Sequence, residues 1–373
     1  MTTQKSETII KDLLIPTGIE INGKNPWDIQ VHNPEFYGRV LRDSSLGLGE
    51  AYMDGWWDCE AIDQFIFRAL KSDLDGKVKG NWRLAFKLLR YKFLNMQTQS
   101  KALKVGKKVY DLGNDLFSAF LDSRMNYTCG YWKNAHNLEE AQEAKLELVC
   151  QKIGLEKGMT VLEFGCGWGS FARYAAEKYG AQVIGLTISK EQLSFAQQVC
   201  QGLPVELRFQ DYREVEGQFD AIISIGMLEH VGYKNYRTYM QVVDRCLKPE
   251  GVALIHAIGS NVSTNIGEAW SNKYIFPNGM LPSIAQFGSA FEPNFVMEDW
   301  HNFGPDYDPT LMAWHAKFEQ AWPSLKDKYG ERFHRMWRYY LLSCAGAFRS
   351  RQTQLWQLVL SKDGIRGGWK RAR

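Results

Sequence analysis

VLEFGCGWG, residues 161–169, joins an apolar run to three glycines separated by single residues. The apolar part reads as a short strand, Thr160–Phe164, and a helix follows from Ser170 to Tyr179. Glycines at such a turn let a ligand come close to the backbone, and the helix N-terminus offers free N–H groups. In an open α/β sheet, the carboxyl edge of the strands is where ligands bind. The dinucleotide pattern G-x-G-x-x-G does not fit, because Ser170 stands where its third glycine would be.

The same alternation extends on both sides. Gln182–Leu186, Val205–Phe209, Phe219–Ile225 and Gly251–Ile258 read as strands, the third continuous and apolar, as expected for burial on both faces. Ser189 caps a helix, and another around Tyr236–Leu247 ends at Lys248-Pro249-Glu250-Gly251. Late strands are expected around Phe295–Phe303 and Leu355–Ser361. Upstream, Leu138–Leu148 reads as a helix, with Asn137 as N-cap and Glu140 three residues on. Strands alternating with helices predict a doubly wound α/β sheet.

Glu163, Gly165, Gly167 and Gly169 spell E-x-G-x-G-x-G after the first strand. This is similar to the glycine motif of class I S-adenosylmethionine methyltransferases, which implies a Rossmann-like, seven-stranded sheet. Many members of that superfamily place an acid at the end of the second strand for the ribose. Here that place reads GLTIS, with Thr187, and Glu191 or Gln192 is expected to substitute.

The part before residue 100 differs. Short apolar pieces mix with glycine turns, as in SSLGLGEAYMDGWWDCE, and 61–71 and 81–96 look helical. In the second, Trp82, Ala85, Phe86, Leu89, Phe93 and Met96 share one face, with Lys79, Arg83, Lys87 and Arg90 mainly opposite. Such a helix packs on its own domain or lies in a membrane interface. The net charge of the 373 residues is only +3, yet residues 68–108 carry twelve Lys/Arg against Asp73 and Asp75. That block is +10 and the remainder −7, which implies an anionic partner. No nucleic-acid motif accompanies it, and the Trp/Phe stripe favours lipid, so no nucleic-acid partner is expected. No apolar run reaches the ~18 residues of a membrane span. The N-terminus has no secretory pattern, and seven scattered cysteines fit a reducing cytosol. No metal site is expected.

Separated stretches then point to one family. SLGLGEAYMDGWW (45–57), VYDLGNDLF (109–117), MNYTCGYW (125–132), GLTISKEQ (185–192), SIGMLEHVG (224–232), HAIG (256–259), IFPNGMLPS (275–283) and SCAGAFRSR (343–351) together resemble the bacterial cyclopropane-fatty-acyl-phospholipid synthases. The resemblance implies a smaller, mainly helical, lipid- or membrane-associating domain at 1–97, a basic linker to about 108, and a catalytic domain at 109–373. It implies methylene addition across a cis double bond of an unsaturated acyl chain in a membrane phospholipid. S-adenosylmethionine would be the co-substrate and bound bicarbonate the base that deprotonates the methylated carbocation and closes the ring. It also implies a homodimer in the cytoplasm, peripherally associated with the inner membrane. Methyl transfer to a lipid or small amine without ring closure is the alternative.

The implied residues map singly. Cys129, Glu229, His256 and Tyr307 match side-chain ligands of the bicarbonate, and Ile258 a backbone contributor. Read from the residues alone, His256 fits a satisfied core histidine equally well, Tyr307 a loop anchor and Glu229 a helix cap. Cys344, in LLSCAGAF, matches a nominated active-site cysteine and also reads as inert helix packing. For the cofactor, Tyr127 and Thr128 match positions near the methionine end. Glu163, Gly165, Cys166, Gly167 and Gly169 belong to the glycine wall, Thr187 and Gln192 face the ribose, and Asp211 and Tyr212 take the adenine position. Tyr110, Phe117, Tyr131, Trp132, Trp270, Tyr274 and Phe276 fit either cation stabilisation by ring faces or core packing.

Overall fold

The computed structural model describes residues 3–72, 112–292 and 294–370. The helix expected at 81–96, Tyr110 and most of the basic block lie outside these residues. The N-terminal part is mainly helical: α1 (Thr3–Leu14), α2 (Phe36–Met53) and α3 (Ile62–Lys71), with a short ribbon of β1 (Gln30–Val31) and β2 (Trp57–Asp58). Trp57 is fully buried at its centre, in ring contact with Phe36, Tyr52, Phe65 and Tyr339.

After α4 (Asn114–Phe120) comes α5 (Leu138–Ile153), longer than its expected span. The Asn137 side chain accepts from the Glu140 N–H at 3.0 Å and Gly154 ends the helix in the left-handed region. Then follow β3 (Thr160–Phe164), α6 (Ser170–Tyr179), β4 (Gln182–Thr187), α7 (Lys190–Val199), β5 (Val205–Phe209) and β6 (Phe219–Ile225). The one-turn α8 (Leu228–Val231), α9 (Tyr236–Cys246), β7 (Leu247–Ser260), α10 (Ala269–Tyr274), α11 (Ile284–Phe291) and β8 (Val296–Asn302) lead to α12 (Tyr307–Tyr329), α13 (Glu331–Arg349) and β9 (Thr353–Ser361).

The seven large strands form one sheet in the order β5-β4-β3-β6-β7-β9-β8, parallel from β5 to β7, with β9 antiparallel to both its neighbours. This is the α/β sheet expected from the alternating strands and helices. Period-two alternation sends Leu162, Phe164, Ile222 and Ile255 into one core, against α9 and α11. Val161, Ala221, Ile223 and Leu254 enter the other, against α5 and α6. His256 continues the second series, so it faces α5.

A third core runs from Ile10 and Trp57 through Phe117 and Trp314 to Phe348, and so joins the N-terminal helices to α12 and α13. A Cβ on Gly346 would lie 2.5 Å from the Asp63 carbonyl oxygen, so α13 meets α3 only because position 346 has no side chain. Arg349 closes this seam by donating to both Asp63 and Asp308. Trp270 and Tyr274 belong to the same seam: Trp270 stacks edge-on to Tyr339, and Tyr274 donates to Glu50.

Candidate active site

A cavity of about 190 Å³ opens at the carboxyl ends of β3 to β6. It lies where the chain, having crossed from β3 to β5, returns to β6 on the other side of β3. Gly165, Cys166 and Gly167 form its floor. Gly165 has φ +76°, and a Cβ there would stand 3.3 Å from Met227. Gly169, placed in this wall by the motif, does not line the cavity. It opens α6 at φ +85°, pressed against Ala196 and Cys200.

The remaining cofactor candidates converge on the cavity: Tyr127, Thr128, Glu163, Thr187, Gln192, Asp211 and Tyr212 all line it. Gln192 is buried and accepts from the Thr187 hydroxyl at 3.1 Å, whereas Glu191 is exposed and outside the lining. Of the two side chains expected to substitute for the acid missing from β4, only Gln192 lines the cavity. Asp211 is gripped at both oxygens by Arg213, 2.7 Å each. The Glu163 carboxyl is 3% exposed, and its Oε2 has no hydrogen-bond partner among the described residues. Burial pushes its pKa up to about 8.

One residue behind this wall begins a second group of buried side chains, the inner chamber. Cys129 follows Thr128, Glu229 precedes the cavity residue His230, and the Gly226 N–H donates to the His256 carbonyl. The Glu229 side chain does not cap its helix. Its Oε1 accepts from the Ile258 N–H at 2.7 Å, while Oε2 has no hydrogen-bond partner among the described residues. Burial raises this carboxyl to about 7. His256 is 1% exposed. Its Nδ1 lies 3.3 Å from the Gln357 side-chain amide, and its Nε2 has no hydrogen-bond partner among the described residues. Burial, helped by Lys145 and Lys152, holds His256 neutral.

Tyr307 starts α12, stacked on Phe348 at 4.3 Å. Its hydroxyl is raised chiefly by burial, and Cys129, Glu229, Tyr127 and Cys344 lie near enough to influence it. These positions, far apart in sequence, therefore share one low-dielectric region. Burial also holds the Cys129 thiol well above its usual range and pushes Cys344 up to about 12, so both are neutral thiols.

A family model described as mycolic acid cyclopropane synthetase matches residues 97–358. The chain belongs to the mycolic acid cyclopropane synthetase family. It is an S-adenosylmethionine-dependent methyltransferase. The cyclopropane-fatty-acyl-phospholipid synthase of Escherichia coli K12 is 53% identical over 365 residues, covering 98% of this chain and 95% of that one. Two solved structures align with it. One is the cyclopropane synthase MmaA2 from Mycobacterium tuberculosis, with TM-score 0.67 and 27% identity over 72% of this chain and 100% of the other. The second is the mycolic acid cyclopropane synthase CmaA1 complexed with SAH and CTAB, with TM-score 0.65 and 30% identity over 70% and 98%.

Asn126, Lys145 and His230 are among the polar residues of this cavity to which the sequence reading gave no role. Lys145 left a signal. Leu138, Ala141, Gln142, Lys145, Val149 and Lys152 form one helical stripe, and all are buried. A lysine on an apolar stripe must find partners inside the protein.

Proposed function

We propose that this enzyme adds a methylene group across a cis double bond of an unsaturated phospholipid acyl chain. Its relatives of that named activity support the reading. The observation that carries it is the pair of buried polar atoms without partners among the described residues, Glu229 Oε2 and His256 Nε2, beside the cofactor cavity. A plain methyltransferase acting on an amine would not need them.

S-adenosylmethionine, when bound, supplies an electrophilic methyl on its sulfonium. The protein must then hold the alkene close and stop water from trapping a cation. Tyr127 stands at the join of the two compartments, with Phe117 and Trp314 rings each 5.3 Å away and its hydroxyl donating to Tyr340 at 2.8 Å. Such ring faces stabilise positive charge and leave it no water.

The chamber suits a small oxyanion. The Tyr307 hydroxyl and, in its Nε2–H form, His256 are donors, and Glu229 Oε2 is an acceptor, whereas the Cys129 S–H is directed to the Gly130 carbonyl at 3.1 Å. Bicarbonate, when bound there, supplies a proton acceptor, and Glu229 would orient it by accepting from its hydroxyl. Because the Ile258 N–H already serves Glu229, Ile258 acts by fixing that carboxylate. The mechanism gives Cys344 no nucleophilic task.

The +10 block at 68–108 favours docking on an anionic bilayer, which is where such a substrate lies. No helix among the described residues is long and apolar enough to cross a membrane. Incubation with S-adenosylmethionine and vesicles of unsaturated phospholipid tests the reading. The expected acyl product is one CH2 heavier, shows ring-methylene protons by NMR and resists mild hydrogenation. A heavier product that still takes up hydrogen would establish methylation without ring closure instead.

A further inference from the structure

We infer that an uncharged rim beside the cofactor cavity docks on the bilayer, with Val262 and Ile284 entering it and Arg237 and Arg351 meeting anionic headgroups. The inference deepens the reading that the substrate is a membrane phospholipid, and it rests on that reading.

Five large apolar side chains are exposed among the described residues, and Val262 at 67% and Ile284 at 58% are two of them. They belong to two segments fastened side by side at the end of β7. The Ser260 N–H donates to the Pro282 carbonyl at 2.8 Å, the Ser263 and Ser283 hydroxyls lie 2.6 Å apart, and the Gln286 amide donates to the Thr264 carbonyl at 2.9 Å. Val262 precedes one serine of the bonded pair and Ile284 follows the other. Residues 257–267 and 274–291 contain no Asp, Glu, Lys or Arg, in a chain that is 23% charged. A single exposed apolar side chain is ordinary, but two joined on an uncharged surface mark a contact site.

The charges stand at its flanks. The Arg351 carbonyl accepts from the Asn261 side chain at 2.7 Å, and Arg237 donates to the Ser289 carbonyl of α11 at 3.2 Å. Both arginines are exposed, and among the described residues their guanidinium groups bond to the Gln354 side chain and the Ser289 carbonyl rather than to acids. The adjoining Glu268 carboxylate is engaged by Ser45 and the first N–H groups of α10. The second segment also reaches the site. Pro277 and Asn278 line the cofactor cavity, and the Met280 N–H donates to the Glu229 carbonyl at 2.8 Å. An apolar tip between cations matches an anionic bilayer, whose acyl chains would then lie beside the cavity. A second copy fits less well, because a symmetric contact through this face would gather the arginines of both copies.

The test compares the full wild-type chain with three double variants: Val262→Asp with Ile284→Glu, Val262→Ser with Ile284→Ser, and Arg237→Gln with Arg351→Gln. Four quantities are measured: binding to vesicles of unsaturated phosphatidylglycerol or phosphatidylcholine, the lipid concentration giving half-maximal turnover, SAH affinity, and oligomeric state by light scattering. The acidic pair should need about tenfold more lipid or beyond, and the serine pair roughly three- to tenfold more. The glutamine pair should bind phosphatidylglycerol vesicles roughly fivefold more weakly and phosphatidylcholine vesicles within about twofold of wild type. SAH affinity and turnover at saturating lipid should stay within about twofold in all three. A serine pair with wild-type vesicle binding and lipid requirement would overturn the inference, and it decides the matter if the acidic pair does not fold. A changed oligomeric state in the serine pair would also overturn it, by assigning the face to a second copy. A wild type that neither binds these vesicles nor modifies their lipid would instead overturn the phospholipid reading itself.

Discussion

The cofactor cavity takes its floor from one continuous run, Gly165–Gly167, at the end of one strand. The chamber behind it takes Cys129 from a loop, Glu229 from a single helical turn, His256 and Ile258 from inside a strand, and Tyr307 from the start of α12. The first works mainly through backbone, which needs room and positive φ. The second works through side chains, each shifted in pKa by burial. Damage to the first should therefore appear as lost binding, and damage to the second as lost turnover with binding kept.

The sharpest break comes from Glu229→Gln. Turnover should fall by about 100-fold or more, while SAH affinity stays within about twofold. Parallel losses in both would dissolve the distinction between the regions. Tyr307→Phe removes a donor and should cost roughly 10- to 100-fold in turnover, again with SAH affinity kept.

A pH series sharpens the electrostatic half of the comparison. The Glu229 carboxyl moves from 4.5 to about 7 on folding. Across that window the unfolded chain loses a proton that the folded chain keeps, so wild-type stability falls as pH rises. Glu229→Gln has no such loss. It should match the wild type below about pH 4.5 and be the more stable by about 1–3 kcal/mol above pH 7. A gap independent of pH in chemical denaturation would contradict the raised carboxyl.

On the cavity side, Gly165→Ala puts a Cβ at positive φ, 3.3 Å from Met227. The strain of about 1–2 kcal/mol should weaken SAH roughly tenfold. Turnover at saturating cofactor should change far less. The smallest effect is expected from Cys344→Ala, whose neutral thiol has no step to perform. Its turnover should stay within about threefold of wild type.

The same contrast governs what could be read in the sequence. Strands β3, β4 and β6 were legible within a residue because a parallel sheet buries both faces, and the helix caps nearby are explicit, as at Asn137 and Ser189. Helices α12 and α13 were not, apart from the LLSCAGAF stretch. Tyr307, Leu311, Trp314 and Phe318 do form an apolar stripe at i, i+4, i+7 and i+11 that was missed, and Pro323 interrupts α12 beyond it. Chamber residues carried no local signal: from spacing alone His256 is one polar residue in an apolar strand. Only the resemblance assigned them to a site. Lys145 was legible in principle and missed, because a charge within a helix is usually a solvated one.

Wild-type turnover in carbon-dioxide-stripped buffer, on vesicles of unsaturated phospholipid, tests the chamber most directly. The account predicts a fall of about tenfold or more, full recovery on adding bicarbonate, and unchanged SAH affinity throughout. Equal rates of ring formation with and without bicarbonate would contradict it.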